Sequence, residues 1–242
     1  MEPSKKLWRV VIVLIGLLMA AAAWAGDAKS PVVAPGEEYL GLSYNQLVDQ
    51  WTNWVATEPI ATNPIFDPDG RFCDRNQAGK VWFLASTLGG IADRTCAVPA
   101  GQALFLSLGG VFLSFAPDFP AAGDDCLQMA TGVEQVRCDV NNDVPVAPGI
   151  SLEAVLDGAP VTDLFAYRAQ SRPAGFTLHV PDPSLLTDIG FAAGDRFPAV
   201  SDGYFLFLKP LKPGEHTLSV RMVNPDQSET GVNYTLIVGG GR

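Results

Sequence analysis

The pattern of apolar and polar residues in this 242-residue chain passes from a solid block to a helical period and then to alternation. The block is Val10 to Ala23, uninterrupted by charge and preceded by Lys5, Lys6 and Arg9. It falls short of the roughly 20 apolar residues that a spanning helix needs. Ala23-Trp24-Ala25 then offers the small-x-small spacing that a signal peptidase cuts. Residues 1–25 therefore predict a signal peptide, with the mature chain starting near Gly26 and working in a secreted or periplasmic location. An uncleaved segment would instead leave the domain held at a membrane. Residues 26–39, polar and punctuated by Pro and Gly, predict a flexible tether.

The helical period follows. Ser43 and Gln46 have capping-box spacing, and Leu42 and Leu47 stand where a hydrophobic staple would close. Tyr44, Leu47, Val48, Trp51, Trp54 and Val55 share one helical face, and Glu58-Pro59 ends the element. Two tryptophans on one stripe suggest a sugar-stacking platform, but core spacing favours an anchor that packs the helix on a sheet.

Beyond Pro59 the period is that of strands. Val81 to Ala85 runs toward Gly89-Gly90, and Ala103–Ser107 and Val111–Phe115 flank Gly109-Gly110. Leu152–Leu156, Gly175–Val180, Tyr204–Leu208, His216–Val223 and Val232–Val238 complete the set, the last two as a pair. Eight or so short strands with Gly- and Pro-rich turns predict a mainly β chain. The expected architecture is an antiparallel β-sandwich, Ig-like or jelly-roll-like, with an N-terminal amphipathic helix. Residues 116–148 interrupt it as an acidic insertion holding Cys126 and Cys138, with a helical turn or two. Residues 149–238 have strands enough for a small sandwich of their own. No linker divides them from the first half, so one domain over 40–238, with 239–242 as a tail, is expected.

Composition narrows the partners. Without residues 1–25 the chain keeps 13 Lys and Arg against 25 Asp and Glu, a net charge of −12. Such a surface repels phosphate backbones and anionic headgroups, so neither nucleic acid nor, after signal cleavage, a membrane is an expected partner. Four cysteines, Cys73, Cys96, Cys126 and Cys138, allow three pairings in an exported chain. The local pairs Cys73–Cys96 and Cys126–Cys138 are favoured because each closes a modest loop, contributing about 3 kcal/mol apiece. A zinc site is the alternative, and no C-x-x-C spacing supports it.

Chemistry is harder to find. There is no G-x-S-x-G elbow, H-E-x-x-H helix or Gly-rich phosphate loop. His216 shares a strand face with Leu218, Val220 and Met222. It would act as a general base beside a carboxylate such as Asp202, or simply satisfy a turn carbonyl after Pro213-Gly214. Asp67, Asp69 and Asp74, and separately Asp139 and Asp143, are spaced closely enough in loops to suggest weak calcium sites, and no other cofactor is expected. Trp82 becomes a ligand platform if its face of the sheet is uncovered by the helix. Many carboxylates are present, but no pair is singled out for glycoside hydrolysis.

One set of motifs is specific in combination: Trp51-Thr52-Asn53-Trp54, Asp69-Gly70 with Cys73, and Gln77 to Leu84. Arg94 to Gly101, Ser201-Asp202-Gly203-Tyr204, Leu208 to Leu211 and Pro213 to Thr217 complete it. Together, over nearly all of residues 44–238, the chain resembles a family of secreted prokaryotic proteins with no assigned activity. That resemblance implies export, the Cys73–Cys96 pair and a β-rich fold, and carries over no catalytic residue. The functional expectation is thus an exported binding or structural protein for an unidentified small molecule, glycan or protein, with a non-enzymatic role favoured over catalysis. The alternative is an extracellular hydrolase acting on a polymer through carboxylates or His216.

Overall fold

The computed structural model describes residues 30–121 and 123–239. The signal peptide read at 1–25, the start of the tether and residues 240–242 lie outside the described residues.

Helix α1 (Tyr44–Thr57) forms where the apolar stripe begins. Its capping box is complete, with Ser43 accepting from the Gln46 N–H and Gln46 reaching back to the Ser43 backbone, and Glu58 closes its C-terminus. The strands are β1 (Val81–Leu84), β2 (Gly90–Val98), β3 (Ala103–Phe115), β4 (Ser151–Leu156), β5 (Ala159–Pro160), β6 (Arg168–Gln170), β7 (Phe176–Leu178), β8 (Arg196–Leu208), β9 (Gly214–Val223) and β10 (Glu229–Val238). Helices α2 (Gly132–Asp143) and α3 (Leu185–Asp188) lie between β3 and β4 and between β7 and β8.

Two five-stranded sheets result. The first runs β1-β3-β8-β6, with β7 also paired to β8, and the second runs β2-β10-β9-β4-β5. Trp82, Leu84, Leu104, Leu106, Tyr204 and Leu206 from the first sheet meet Cys96, Val98, Leu218, Val220, Val232 and Leu236 from the second in one apolar cluster. The opposite face of the first sheet is covered by α1. Leu47, Val48, Trp51 and Trp54 pack there on Val81, Phe83, Phe105, Phe205 and Phe207. Both indoles are also tied down, Trp51 Nε1 donating to the Leu84 carbonyl at 2.9 Å and Trp54 Nε1 to the Arg75 carbonyl at 2.8 Å. The order is helix, sheet, sheet.

The architecture departs from the sequence expectation in several places. The sheets are mixed, not antiparallel: β1 pairs parallel with β3, and β2 parallel with β10. The cause is that β2, between β1 and β3 in sequence, crosses to the other sheet, so each return to the first sheet repeats the original direction. Strand β2 escapes the pattern because Asp93, Arg94 and Thr95 hide its alternation of buried Arg94, Cys96 and Val98. The two strands expected around Gly109-Gly110 are one strand, β3, with register shifts against β8 at that point. The insertion holds a full helix, α2, in place of the turn or two expected. Within the stretch read as a tether, residues 31–33 lie along the end of β8. Val32 bridges Leu208, the Val33 N–H donates to the Phe207 carbonyl, and Val33 is only 1% exposed.

Disulfides Cys73–Cys96 and Cys126–Cys138 are both formed, with Cα separations of 5.8 and 5.5 Å. The first joins the loop before β1 to β2, and the second joins the segment before α2 to the helix itself.

Candidate functional site

Strands β3 and β8 are each 13 residues long, well beyond the usual five or six. The second sheet covers only part of that length. Up to Leu108, β3 contributes to the cluster between the sheets; further along, α2 packs on β3 and β8, with Val136 and Val140 against Val200. The change of cover falls at Gly109-Gly110. Both glycines have positive φ (129° and 60°), a region that costs a side-chain-bearing residue strain. A Cβ on Gly109 would lie 3.2 Å from Met222, and one on Gly110 3.0 Å from Pro145. The bulge therefore lets β3 approach both covering layers closely while they part from each other.

A cavity of about 490 Å³ lies at this bulge, lined by residues of the second sheet and, past the edge of β3, by residues of α1 and α3, within the range of drug-sized ligand sites. Trp51, Val55, Val111, Leu186 and Met222 supply much of its apolar wall. Strand β1 stops at Leu84 opposite Leu106, so along the cavity β3 has no strand beside it on that edge among the described residues. Leu88 and Phe112 line the cavity and are exposed, 69% and 37%, which gives the mouth an apolar rim.

Four hydroxyls in this wall share one property. Thr52, Ser86, Ser201 and Thr230 all line the cavity, and the hydroxyl oxygen of each is closed off from solvent with no hydrogen-bond partner in the protein. Three of these residues are deeply buried: Thr52 and Ser86 at 4% exposure and Ser201 at 0%. Each unmade bond costs about 1–3 kcal/mol, and buried polar groups are almost always paired. Four such hydroxyls around one apolar space are therefore a specific signal. Asp143, at the end of α2, is the one charged residue among the described lining residues.

The residues singled out from sequence are placed elsewhere, Asp143 excepted. Asp202 and His216 lie on different sheets, in β8 and β9. Asp202 is 1% exposed and accepts from Arg168 at 2.8 Å and from Gln170 at 3.0 Å. Gln170 also donates to Asn141, and Arg137 donates to Gln170 and to the carbonyls of Arg172 and Pro173. That network binds α2 to the edge of the first sheet. His216 contacts Asp157 through Nδ1 at 2.7 Å and the Lys212 carbonyl through Nε2 at 2.8 Å. A carbonyl only accepts, so Nε2 carries a proton, and the carboxylate favours a proton on Nδ1 as well. Burial opposes that charge, but the Asp157 bond and the Lys212 carbonyl outweigh it and raise the imidazole pKa. Both ring nitrogens are occupied.

Trp82 points between the sheets, away from the face that α1 covers, and is 8% exposed. It borders an open cleft of about 730 Å³ with Arg71, Asp74 and Thr95, beside the Cys73–Cys96 bridge. Asp67 is buried and braces its own loop, accepting the N–H groups of Asp69, Gly70 and Phe72. Asp69 pairs with Arg71, which holds its carboxyl down to about 2. Burial raises the pKa of Asp139, and nearby Asp124 and Asp143 add to the rise. Among the described residues no three His, Cys, Asp or Glu side chains form a group suited to a metal ion.

The cavity was not legible beforehand. Its one sequence signal is Gly109-Gly110, which reads equally well as a turn, while scattered Ser and Thr carry no spacing. No family model, curated protein or solved structure matches the chain, so the family resemblance remains an expectation.

Proposed function

We propose that this is an exported binding protein that takes a small, mainly apolar molecule into the cavity beside Gly109-Gly110. The observation that carries this is an apolar cavity with an apolar rim, four of whose lining residues hold hydroxyls without a partner in the protein. Export is supported by the charge-flanked apolar block of residues 5–25 and by two disulfides, bonds that persist in oxidising compartments. Binding is favoured over hydrolysis because the two groups best suited to acid–base work are engaged: His216 at both nitrogens and Asp202 with Arg168.

The test is uptake of a neutral environment-sensitive fluorophore such as N-phenylnaphthylamine by the purified mature protein. A saturable rise in emission is expected, lost in Leu185→Trp, where a half-buried residue of α3 in the cavity wall is enlarged. Thermal unfolding and circular dichroism confirm that the variant is folded. Equal uptake by a folded Leu185→Trp protein would place binding elsewhere.

A further inference from the structure

We infer that the cavity selects an uncharged, oxygen-bearing hydrocarbon, such as a long-chain alcohol, ketone or ester, over a fatty acid or alkyl phosphate with the same chain. This selectivity presupposes the binding role proposed above and adds the chemical class of the ligand.

Charge argues first. Among the described lining residues there is no Lys, Arg or His, and the one ionised group is the carboxylate of Asp143. A bound carboxylate or phosphate would leave water without a cation to meet it, which costs several kcal/mol per ion even after relaxation. It would also face Asp143 and a chain of net charge −10. A neutral ligand escapes both penalties.

The hydroxyls argue next. Ser and Thr each offer one donor and two acceptor lone pairs, so Thr52, Ser86, Ser201 and Thr230 suit a ligand hydroxyl, carbonyl or ether alike. Their oxygens sit behind the lining surface, and a turn about χ1 between staggered wells is what brings one to a ligand. A bare hydrocarbon recovers none of these bonds, whereas a neutral oxygen recovers one or two. The body of the ligand is set by Trp51, Val55, Val111, Leu186 and Met222, which give dispersion contact and no hydrogen bond to aliphatic carbon.

The experiment displaces bound N-phenylnaphthylamine near neutral pH with decanol, decanoate and decylammonium, which share a chain and differ in head group. Decanol is expected to bind at least about tenfold more tightly than decanoate. The double variant Ser86→Ala/Ser201→Ala should bind decanol about fivefold more weakly. Decanoate displacing as well as decanol, or a double variant with unaltered decanol affinity, would overturn the selectivity and leave the binding role standing. Decylammonium displacing best would also overturn it, in favour of recognition of a cation by Asp143. Absence of fluorophore uptake by the wild-type protein would reject binding and selectivity together.

Discussion

Strand β3 holds two opposite solutions within 13 residues. From Ala103 to Leu108 it is enclosed by α1 on one face and the second sheet on the other, and no residue exceeds 2% exposure. Most buried polar groups near that half have a partner, Trp82 Nε1 and Gln102 Oε1 excepted. Arg94, buried at 2%, donates to the carbonyls of Ile65, Asp67 and Ala85 and to the Tyr234 hydroxyl. From Gly109 onward the cover changes, Val111 and Leu113 become half-buried, and Phe112 is exposed. The contrast is sharpest between adjacent residues: the Ala85 carbonyl accepts from both Arg94 and Tyr234, while the Ser86 hydroxyl has no partner. Close packing holds in one half and lapses in the other, and there four unpaired hydroxyls cluster around one cavity. Such a coincidence marks a site more securely than a cavity by itself.

The largest expected effect comes from breaking the closed half. Arg94→Met keeps the bulk of the side chain and removes its donors, leaving the Ile65 and Asp67 carbonyls to find other partners while Ala85 and Tyr234 keep each other. A loss of about 3 kcal/mol or more in denaturant-unfolding stability is expected. A loss below about 1 kcal/mol would mean that the loop carrying Ile65 and Asp67 is hydrated and that the two halves differ less than described. A middle-sized effect comes from the junction. Gly110→Ala adds a methyl at positive φ, against Pro145 at 3.0 Å and Met222 at 3.3 Å. It should cost about 1–2 kcal/mol and weaken fluorophore uptake, because the walls must move to admit the methyl. Unfolding and titration of the same preparation would show whether stability and binding change together.

How much of this was readable from sequence follows the same division. Helix α1 was legible to its cap, because Ser43, Gln46 and the Trp51/Trp54 stripe obey local rules that tertiary context merely completes. The β9–β10 pairing was legible for the same reason, with His216 opposite Leu236 and Val232 opposite Val220. Which sheet each strand joins was not. That depends on β2 crossing the sandwich, and nothing in Gly90 to Val98 encodes its neighbour, β10, some 130 residues on in the chain. The site was least legible. Thr52, Ser86, Ser201 and Thr230 come from α1, a loop, β8 and β10, and only the packing at the β3 bulge makes them one wall. Trp82 shows the limit of alternation: it placed the indole on the face opposite Phe83, but not what that face would meet.

The smallest expected effect concerns His216, at the start of β9 and far along the strand from Met222 in the cavity wall. Its two contacts tie the Asp157 turn to the Lys212 segment and are strongest when the ring is charged. Because the folded-state pKa is raised above the unfolded value, the group contributes stability fully below the unfolded pKa, near 6.5, and loses it as pH rises through the folded value. Asp157 is nearly half exposed, so solvent screening keeps the contribution modest, about 1 kcal/mol. Replacing the ring by the neutral side chain of His216→Gln should therefore lower stability near pH 5 and have progressively less effect as pH climbs. Urea unfolding of wild type and variant across that range reads the difference directly. Parallel curves would show that the ring binds its proton equally well in the folded and unfolded chain, so that the Asp157 and Lys212 contacts do not favour its charged form.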